Sequence, residues 1–263
     1  MKKIHITEKA LTIILWVEIA ILAVPLLYFG ARAFVCDSFI VKGHSMEPTL
    51  YTGKRVYVNK LLMGGRIYTK FDFDSDELHC FRMPGLRKLR VGDLAIYNYQ
   101  YGWEPGKIGF KINYVYAKRC VACPGDTISI VDGHYVNSRT GSVGIPESNE
   151  EELRSLPDSF IVRMGSSFKA GSFAGEKERW TIKDFGPIAV PAKGMKIRLD
   201  SLERRHYARF IEYETGAPAD SLPDTEYTFR ENYYFFAGDN VINSRDGRYD
   251  GFVPEDYVIG IFR

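Results

Sequence analysis

Residues 10–30, ALTIILWVEIAILAVPLLYFG, constrain the fold of this chain more than any other stretch, because Glu18 is their only charge. A helix rises about 1.5 Å per residue, so about 20 residues cross the roughly 30 Å hydrocarbon layer of a bilayer. A cleaved signal peptide usually has an apolar region of only about 7–15 residues, and no clean small-residue cleavage site follows here. We therefore predict an uncleaved transmembrane anchor over residues 10–31, with a buried core helix as the alternative.

The charges around this run predict its orientation. Lys2, Lys3 and Lys9 precede it, and basic flanks stay preferentially on the cytoplasmic side of a membrane. This predicts a cytoplasmic tail over residues 1–9, a single span, and a chain that lies outside the cytoplasm after Arg32. The net charge of the whole chain is only +2, which does not favour nucleic acid as a partner.

The cysteines leave the redox state open. They are Cys36, Cys80, Cys120 and Cys123, and outside the cytoplasm disulfides are permitted but not required. The C-x-x-C at 120–123 has no second pair and no nearby histidine, whereas zinc needs about four ligands. No helix start follows it, as a redox motif would require. We interpret Cys120 and Cys123 as small apolar strand residues, and predict no metal site.

After the apolar run, short stretches rich in Val, Ile, Tyr and Phe alternate with Gly, Pro, Asn and Asp, as in antiparallel β-structure. The predicted strands are 38–43, 55–61, 93–99, 113–122, 126–137, 186–199 and 232–239. The letters DGHY inside 126–137 predict a hairpin turn. Helices are predicted at 149–156 and 201–211, with Ser201 as an N-cap candidate. The fold class is mainly β: an antiparallel β-domain behind one N-terminal transmembrane helix.

The predicted β-domain falls into two parts, residues 36–139 and 231–263. Residues 62–90 mix Gly, charges and aromatics, and are predicted to be an insertion in the first part. Residues 140–230 are polar and irregular, and are predicted to form a variable insertion or second subdomain. The sequence gives no role for either insertion.

The stretch FIVKGHSMEPTL, residues 39–50, holds a candidate nucleophile in Ser45. A serine hydroxyl is a weak nucleophile until a base removes its proton. The G-x-S-x-G nucleophile elbow needs a second glycine, but Glu47 occupies that position. In an extended segment His44 points away from Ser45. A histidine triad is therefore disfavoured; the distant candidates are His134 and His206.

A lysine base must be buried, because an amine with a pKa near 10.4 is protonated at neutral pH and burial lowers that pKa. Lys118 lies inside the apolar strand INYVYAKRCVACPGD. Alternation places it on one face with Tyr114, Tyr116 and Cys120. Lys60, in YVNKLL, is a second candidate. Most lysines in strands are edge residues whose amine extends into water. The residues alone therefore neither decide between Lys118 and Lys60 as the base nor exclude a purely structural role for Ser45.

Three longer strings resemble the conserved boxes of one enzyme family. GHSMEPTL resembles the nucleophile box of the type I signal peptidases (leader peptidases), and YAKRCVACPGD resembles their lysine box. FAGDNVINSRDGRYDGFVP is similar to their Gly-Asp-Asn box, and GKRVYVNK and VGDLAIY match two weaker stretches. The strings occur in family order behind an apolar N-terminus.

The resemblance implies a serine endopeptidase with a Ser/Lys dyad. Ser45 is the implied acylated nucleophile, and Lys118 the general base that later acts as general acid. The lysine of YVNK is not the base in this family, so Lys60 becomes structural. Many members carry a serine two residues before the nucleophile as an oxyanion donor, but this chain has Gly43. The Ser45 backbone N–H is then the remaining donor, beside a second one that the sequence does not name.

Supporting roles follow from the Gly-Asp-Asn box. Ser244 is implied to bind and orient the lysine by a hydrogen bond. Asp246 and Arg248 are implied to form a supporting ion pair, with Arg119 and Asp126 nearby.

The resemblance further implies the substrate and the location. The substrates are N-terminal signal peptides of exported preproteins, of the Ala-x-Ala type, which bind extended between segments 38–43 and 113–118. The enzyme is implied to sit in a bacterial cytoplasmic membrane, with its catalytic domain on the outer or periplasmic side, in contact with lipid and without a metal or organic cofactor. A dedicated pilin- or conjugation-type processing peptidase and an inactive, membrane-tethered peptide-binding domain are the alternatives.

Overall fold

The computed structural model describes residues 7–70, 75–100, 107–159, 180–223 and 225–262. It begins with helix α1, Glu8–Phe34, whose first turn is capped by Thr7 through a hydrogen bond from the Ala10 N–H to its hydroxyl. The helix has 27 residues and a mean hydropathy of 2.5 over its most apolar window, and protein atoms bury none of that window. By length and composition it can cross a bilayer.

The centre of the molecule is an antiparallel sheet of seven strands: β1 Cys36–Ile40, β2 Arg55–Asn59, β5 Leu94–Asn98, β6 Val115–Ala122, β12 Tyr233–Ala237, β13 Val253–Pro254 and β14 Val258–Phe262. Their order across the sheet is β1-β2-β14-β5-β6-β12-β13. β2 alternates exposed and buried residues, so only one of its faces packs on the core. The expected fold class, mainly antiparallel β behind one apolar helix, is confirmed.

A second sheet has the order β8-β7-β9, from β7 Thr127–Val131, β8 His134–Asn137 and β9 Phe185–Ala189. The predicted hairpin turn joins β7 to β8, with positive φ at Asp132 and Gly133, as a two-residue hairpin loop favours. Two strand pairs complete the β-structure: β3 Arg66–Tyr68 with β4 Cys80–Arg82, and β10 Lys196–Arg198 with β11 Glu226–Thr228. Helices α2 Glu147–Ser155, α3 Ser201–Thr215 and α4 Gly247–Asp250 lie between strands, beside short 3-10 turns at Ala219–Ser221 and Glu255–Tyr257.

Two sequence expectations need correction. Helix α3 is capped by Asp200, not by Ser201, because the Asp200 carboxylate accepts hydrogen bonds from the N–H groups of Leu202 and Glu203. The predicted strand 186–199 is two strands, β9 and β10, which belong to different sheets. Strands β3, β4, β11, β13 and β14 had no sequence prediction, because short apolar runs without a clear period do not distinguish a strand from a loop.

The apolar core divides into three clusters. The largest packs the second sheet and α3 against one face of the central sheet, and a second covers strands β5, β6, β12 and β14. The third joins β2 and β14 to the segment after β1, through the buried side chains of Val41, Met46 and Leu50. Burial of Met46 and Leu50 fixes the backbone that carries Ser45 between them.

The segment 62–90 packs on the end of β14 through two arginines. Arg82 donates to the carbonyl oxygens of Glu255 and Val258, and Arg66 donates to that of Asp256. Gly65 lies against the Phe34 ring, where a Cβ would come within 2.8 Å of that side chain. The segment therefore joins the central sheet to the end of α1.

Candidate active site

Ser45 lies in a compact turn that follows β1. Gly43 opens the turn with φ +81°, a conformation that a side chain would strain. The N–H of Leu50 closes it by a 2.8 Å hydrogen bond to the carbonyl oxygen of Met46. Ser45 itself is half-buried, while Met46 next to it is 1% exposed. The turn thus leaves Ser45 partly exposed at the surface, while the next residue anchors the turn in the core.

The loop after β12 holds this turn from the other side. The Asn240 N–H donates to the carbonyl oxygen of Ser45 at 3.1 Å, and its side-chain amide donates to that of His44, also at 3.1 Å. A Cβ at Gly238 would lie 2.2 Å from Ser244 Oγ and 2.4 Å from the Ser45 carbonyl oxygen. Ser45 and Ser244 are therefore close neighbours, and only glycine fits between them.

Lys118 lies on β6 and is 3% exposed. Its Nζ donates a 2.9 Å hydrogen bond to Ser244 Oγ and lies 5.5 Å from the centre of the Tyr116 ring. Burial lowers the pKa of this amine to about 8, against an opposing attraction to the Asp246 carboxylate. A large share of the amine is therefore neutral slightly above neutral pH, which general-base chemistry requires.

Asp246 and Arg248 form a fully buried ion pair beside Lys118. Arg248 Nε donates to Asp246 Oδ1 at 2.9 Å, and its terminal nitrogen donates to Oδ2 at 3.0 Å. The carboxylate also accepts from the Gly238 N–H at 2.9 Å and caps α4. Burial opposes ionisation of Asp246, but the Arg248 guanidinium and the Lys118 amine hold the pKa of its carboxyl below the usual value.

Arg119 and Asp126, expected near this pair, bind other partners. Arg119 makes a two-pronged ion pair with Asp239, at 2.7 Å for each contact. Asp126 pairs instead with Arg139 and accepts from the side-chain amide of Asn137.

Asp239 had no role predicted from the sequence, although it is the aspartate of the Gly-Asp-Asn box. The Thr49 hydroxyl also donates to its carboxylate, so Asp239 ties the Ser45 turn to β6.

A groove of about 730 Å³ contains both candidate residues. Segments 38–43 and 113–118 line it, together with Ser45 and Lys118. Its other polar lining includes Arg55 and Arg245. The Arg245 guanidinium is held by Asp250, at 3.0 Å, and burial raises the pKa of the Asp250 carboxyl to about 6.

The other candidates lie outside this groove. Lys60 donates to the carbonyl oxygen of Arg32 at 2.7 Å and to Asp37 at 3.3 Å, at the junction of α1 with the sheet. The His44 ring contacts Glu47 at 2.7 Å. His134 pairs with Glu150, and His206 stacks on Trp180.

The free groups at Ser45 suit nucleophilic chemistry. Within the described ranges, neither the Ser45 hydroxyl nor its backbone N–H has a hydrogen-bond partner. A hydroxyl without a partner can turn towards a base, and an unpaired N–H can receive a developing oxyanion. The described residues contain no group of three or more His, Cys, Asp or Glu side chains that could hold a metal ion.

Comparison with known proteins places this chain in a family. The family model for signal peptidase, peptidase S26, matches residues 13–263. Signal peptidase I T of Bacillus subtilis (strain 168) is 26% identical over 96% of this chain and 84% of its own length. Signal peptidase I P of Bacillus subtilis subsp. natto is 29% identical over 70% of this chain and 71% of its own.

Solved structures were also matched, among them a signal peptidase. A signal peptidase I from Enterococcus faecalis V583 aligns with 68% of this chain and all of its own at 19% identity, with a TM-score of 0.30, too low to support an argument from structure. The family model, in contrast, spans nearly the whole chain. The protein therefore belongs to the signal peptidase family, peptidase S26, and is a serine endopeptidase.

Proposed function

We propose that this protein removes signal peptides from exported preproteins by a Ser/Lys dyad, with Ser45 as nucleophile and Lys118 as base. One observation carries the proposal: Ser45 and a buried lysine line the same groove, and the pKa of the lysine is lowered to about 8. A solvated lysine would be almost fully protonated at neutral pH and could not accept the serine proton.

The proposed reaction uses groups already in the site. The neutral Lys118 amine takes the proton of Ser45 as Oγ attacks the carbonyl carbon of the cleaved bond. The resulting oxyanion is received by the unpaired Ser45 N–H. Lys118 then gives its proton to the leaving amine nitrogen, and water hydrolyses the acyl-enzyme by the same base. Ser244 orients the amine through its 2.9 Å hydrogen bond, and the Asp246–Arg248 pair holds the loop that carries Ser244.

The groove supports an extended peptide substrate. β1 is the outermost strand on its side of the sheet, so within the described residues no further strand pairs with its second edge. A signal peptide that adds as a strand there gains main-chain hydrogen bonds, while shallow lining selects small side chains before the cleaved bond. Apolar lining from Ile40, Val41, Met46 and Ile96 suits the Ala-x-Ala pattern.

The decisive experiment uses purified full-length protein in detergent with one preprotein. Ser45→Ala and Lys118→Ala are expected to abolish cleavage with the fold retained. Ser38→Ala and Lys60→Ala are the matched controls: Ser38 lines the same groove, Lys60 is a second half-buried lysine, and both variants keep appreciable activity. Cleavage by the Ser45 variant, or loss only in the Lys60 variant, contradicts the assignment. A panel of unrelated preproteins distinguishes a general peptidase from a dedicated one.

We further propose that α1 anchors the enzyme in a bacterial cytoplasmic membrane with its N-terminus inside. Cys36 is exposed directly after α1, so a membrane-impermeant maleimide added to intact spheroplasts is expected to label it. In a background with Cys36, Cys80 and Cys123 changed to serine, Lys2→Cys is expected to stay unlabelled until the cells are lysed. Labelling of the Lys2→Cys variant in intact spheroplasts contradicts this orientation.

The segment 62–90 is proposed to touch the bilayer surface. It contacts the end of α1 at Phe34, and it exposes Phe81, Met83 and Leu86, of which Leu86 is 79% exposed. Leu86→Trp in vesicles is expected to be quenched by brominated lipid. The matched control is Val131→Trp, at a 59% exposed position in the second sheet, which is expected to be quenched far less. Equal quenching at the two positions contradicts contact through this segment.

A further inference from the structure

Cys120 and Cys123, interpreted from sequence as small apolar strand residues, bring their sulfur atoms into contact. The two Sγ atoms are 3.9 Å apart, and both cysteines are free thiols. The contact arises from a break in the β6–β12 pairing. Neighbouring residues Phe235 and Phe236 face Ala122 and Cys120, which leaves Val121 as an extra residue in β6. Such a bulge turns side chains away from strict alternation.

The two thiols differ in access. Cys120 is 0% exposed and belongs to the core cluster under β12. Cys123 is 8% exposed and lies on the wall of a surface cavity of about 630 Å³, whose lining includes Lys88, Arg90 and Arg139. One thiol can therefore meet a small molecule from solution, and the other can meet only its neighbour.

The two thiols also differ in pKa. The hydrogen bond with Cys120 lowers the pKa of the Cys123 thiol against the effect of burial. Burial raises the pKa of Cys120. A thiol with a lowered pKa is the one that attacks a disulfide, since the thiolate is the nucleophile.

We propose that Cys120 and Cys123 form a reversible redox pair, which exchanges with small-molecule disulfides through Cys123 and closes to an intrachain disulfide. Cys123 loses its proton and attacks one sulfur of a disulfide such as glutathione disulfide, which forms a mixed disulfide and releases one thiol. Cys120 then loses its proton and attacks Cys123 Sγ, which expels the second thiol. Two protein thiols are oxidised, and one small disulfide is reduced to two thiols. The proposed location outside the cytoplasm is one where such donors persist.

Closure has a defined local consequence. Cys123 Sγ now donates to the carbonyl oxygen of Leu89 at 3.4 Å, and this contact ends when Sγ turns to Cys120. Cys120 lies two residues after Lys118 on the same strand. One cysteine of the pair is thus on the strand that carries the proposed base and the other directly follows that strand, and neither lines the groove.

The test uses full-length protein in detergent with Cys36→Ser and Cys80→Ser, which removes the two other thiols. Incubation of the folded protein with glutathione disulfide, followed by intact-mass measurement, is expected to show the loss of two hydrogen atoms, reversed by dithiothreitol. Adding Cys120→Ser is expected to trap one glutathionyl group on Cys123. Adding Cys123→Ser is expected to leave the protein unmodified. Cys→Ala versions of the last two replace any variant that does not cleave a preprotein.

Two results overturn the proposal. One is a folded protein that keeps both thiols under conditions in which the urea-unfolded protein forms the disulfide, which shows that the fold prevents closure. The other is equal glutathionylation of the Cys120→Ser and Cys123→Ser variants, which contradicts entry through Cys123. The Ser45→Ala variant is expected to oxidise like its parent, so failure of the dyad and failure of the redox pair are separable.

Discussion

Replacing the buried lysine by an apolar residue of similar length, Lys118→Met, is predicted to stabilise the fold at neutral pH while it abolishes cleavage. The amine has a pKa of about 8 in the folded protein, against an ordinary 10.5. Below pH 8 the folded chain must therefore carry a proton that burial disfavours. The methionine variant carries no such charge and fills nearly the same volume beside Tyr116 and Ser244.

The pKa difference sets the size of the effect. At about 1.36 kcal/mol per unit, the protonated amine costs the fold about 3 kcal/mol at pH 7. Loss of the hydrogen bond to Ser244 offsets about 1 kcal/mol of the gain in the variant. We therefore expect Lys118→Met to be more stable than wild type by about 2 kcal/mol at pH 7.

The sign of the pH dependence is opposite to that of a salt-bridged lysine. Between pH 8 and 10.5 the unfolded chain binds more protons than the folded one, so wild-type stability rises with pH. The cost of the amine falls to about 1 kcal/mol at pH 9.5. The advantage of the variant is thus expected to shrink by nearly 2 kcal/mol from pH 7 to pH 9.5.

Urea unfolding of both proteins in the same detergent measures this difference. The fluorescence of Trp180, which packs against Phe185, reports on the folded catalytic domain. A stability difference that does not change between pH 7 and pH 9.5 would refute the claim that Lys118 has a lowered pKa. A variant less stable than wild type at pH 7 would refute the claim that burial of the charge costs stability.

Four further predictions test the site and its supports. The kcat/KM for a preprotein is expected to rise with pH through about 8 as Lys118 loses its proton, and an acidic limb below pH 6 would contradict this. Gly238→Ala is expected to lower kcat at least tenfold, because a Cβ there meets Ser244 Oγ and the Ser45 carbonyl oxygen; unchanged kinetics would exclude a tight packing role. Asp246→Asn leaves the Arg248 guanidinium buried without its counter-ion and is expected to cost about 3–5 kcal/mol in urea unfolding, whereas a loss below about 1 kcal/mol would contradict the buried pair. Ser244→Ala is expected to lower kcat more than it raises KM, with the pH profile displaced, and an effect on KM alone would argue against orientation of Lys118.

The strands that the sequence predicted well were those with strong local signals. β2, β5 and β6 combine β-branched and aromatic residues with clear flanking turns, and the structure has each of them within two residues of the predicted bounds. β14 was not predicted, although it lies in the middle of the sheet between β2 and β5. Its residues are buried on both faces, so they show no alternation that could be recognised.

The candidate site shows the same division. The strings around Ser45, Lys118 and Ser244 could be recognised because each candidate residue lies within a short continuous motif. The sequence did not give the partners of Arg119 and Asp126, because several acidic and basic residues lie near one another in the sequence and only chain folding selects the pairs. Asp239 pairs with Arg119 across 120 positions of the chain.

The sequence was enough to predict the apolar N-terminal helix, the β-rich fold and the candidate residues Ser45 and Lys118. These properties depend only on the types and spacing of neighbouring residues, because local sequence decides which segments favour lipid or water and which favour strands. Only the folded chain shows that Lys118 is sheltered from water beside Ser244, that a Cβ at Gly238 would meet both Ser244 and Ser45, and that Cys120 contacts Cys123. The pKa of a buried amine and the contact between two thiols depend on segments that are distant in the sequence. Those segments come together around them only when the chain folds.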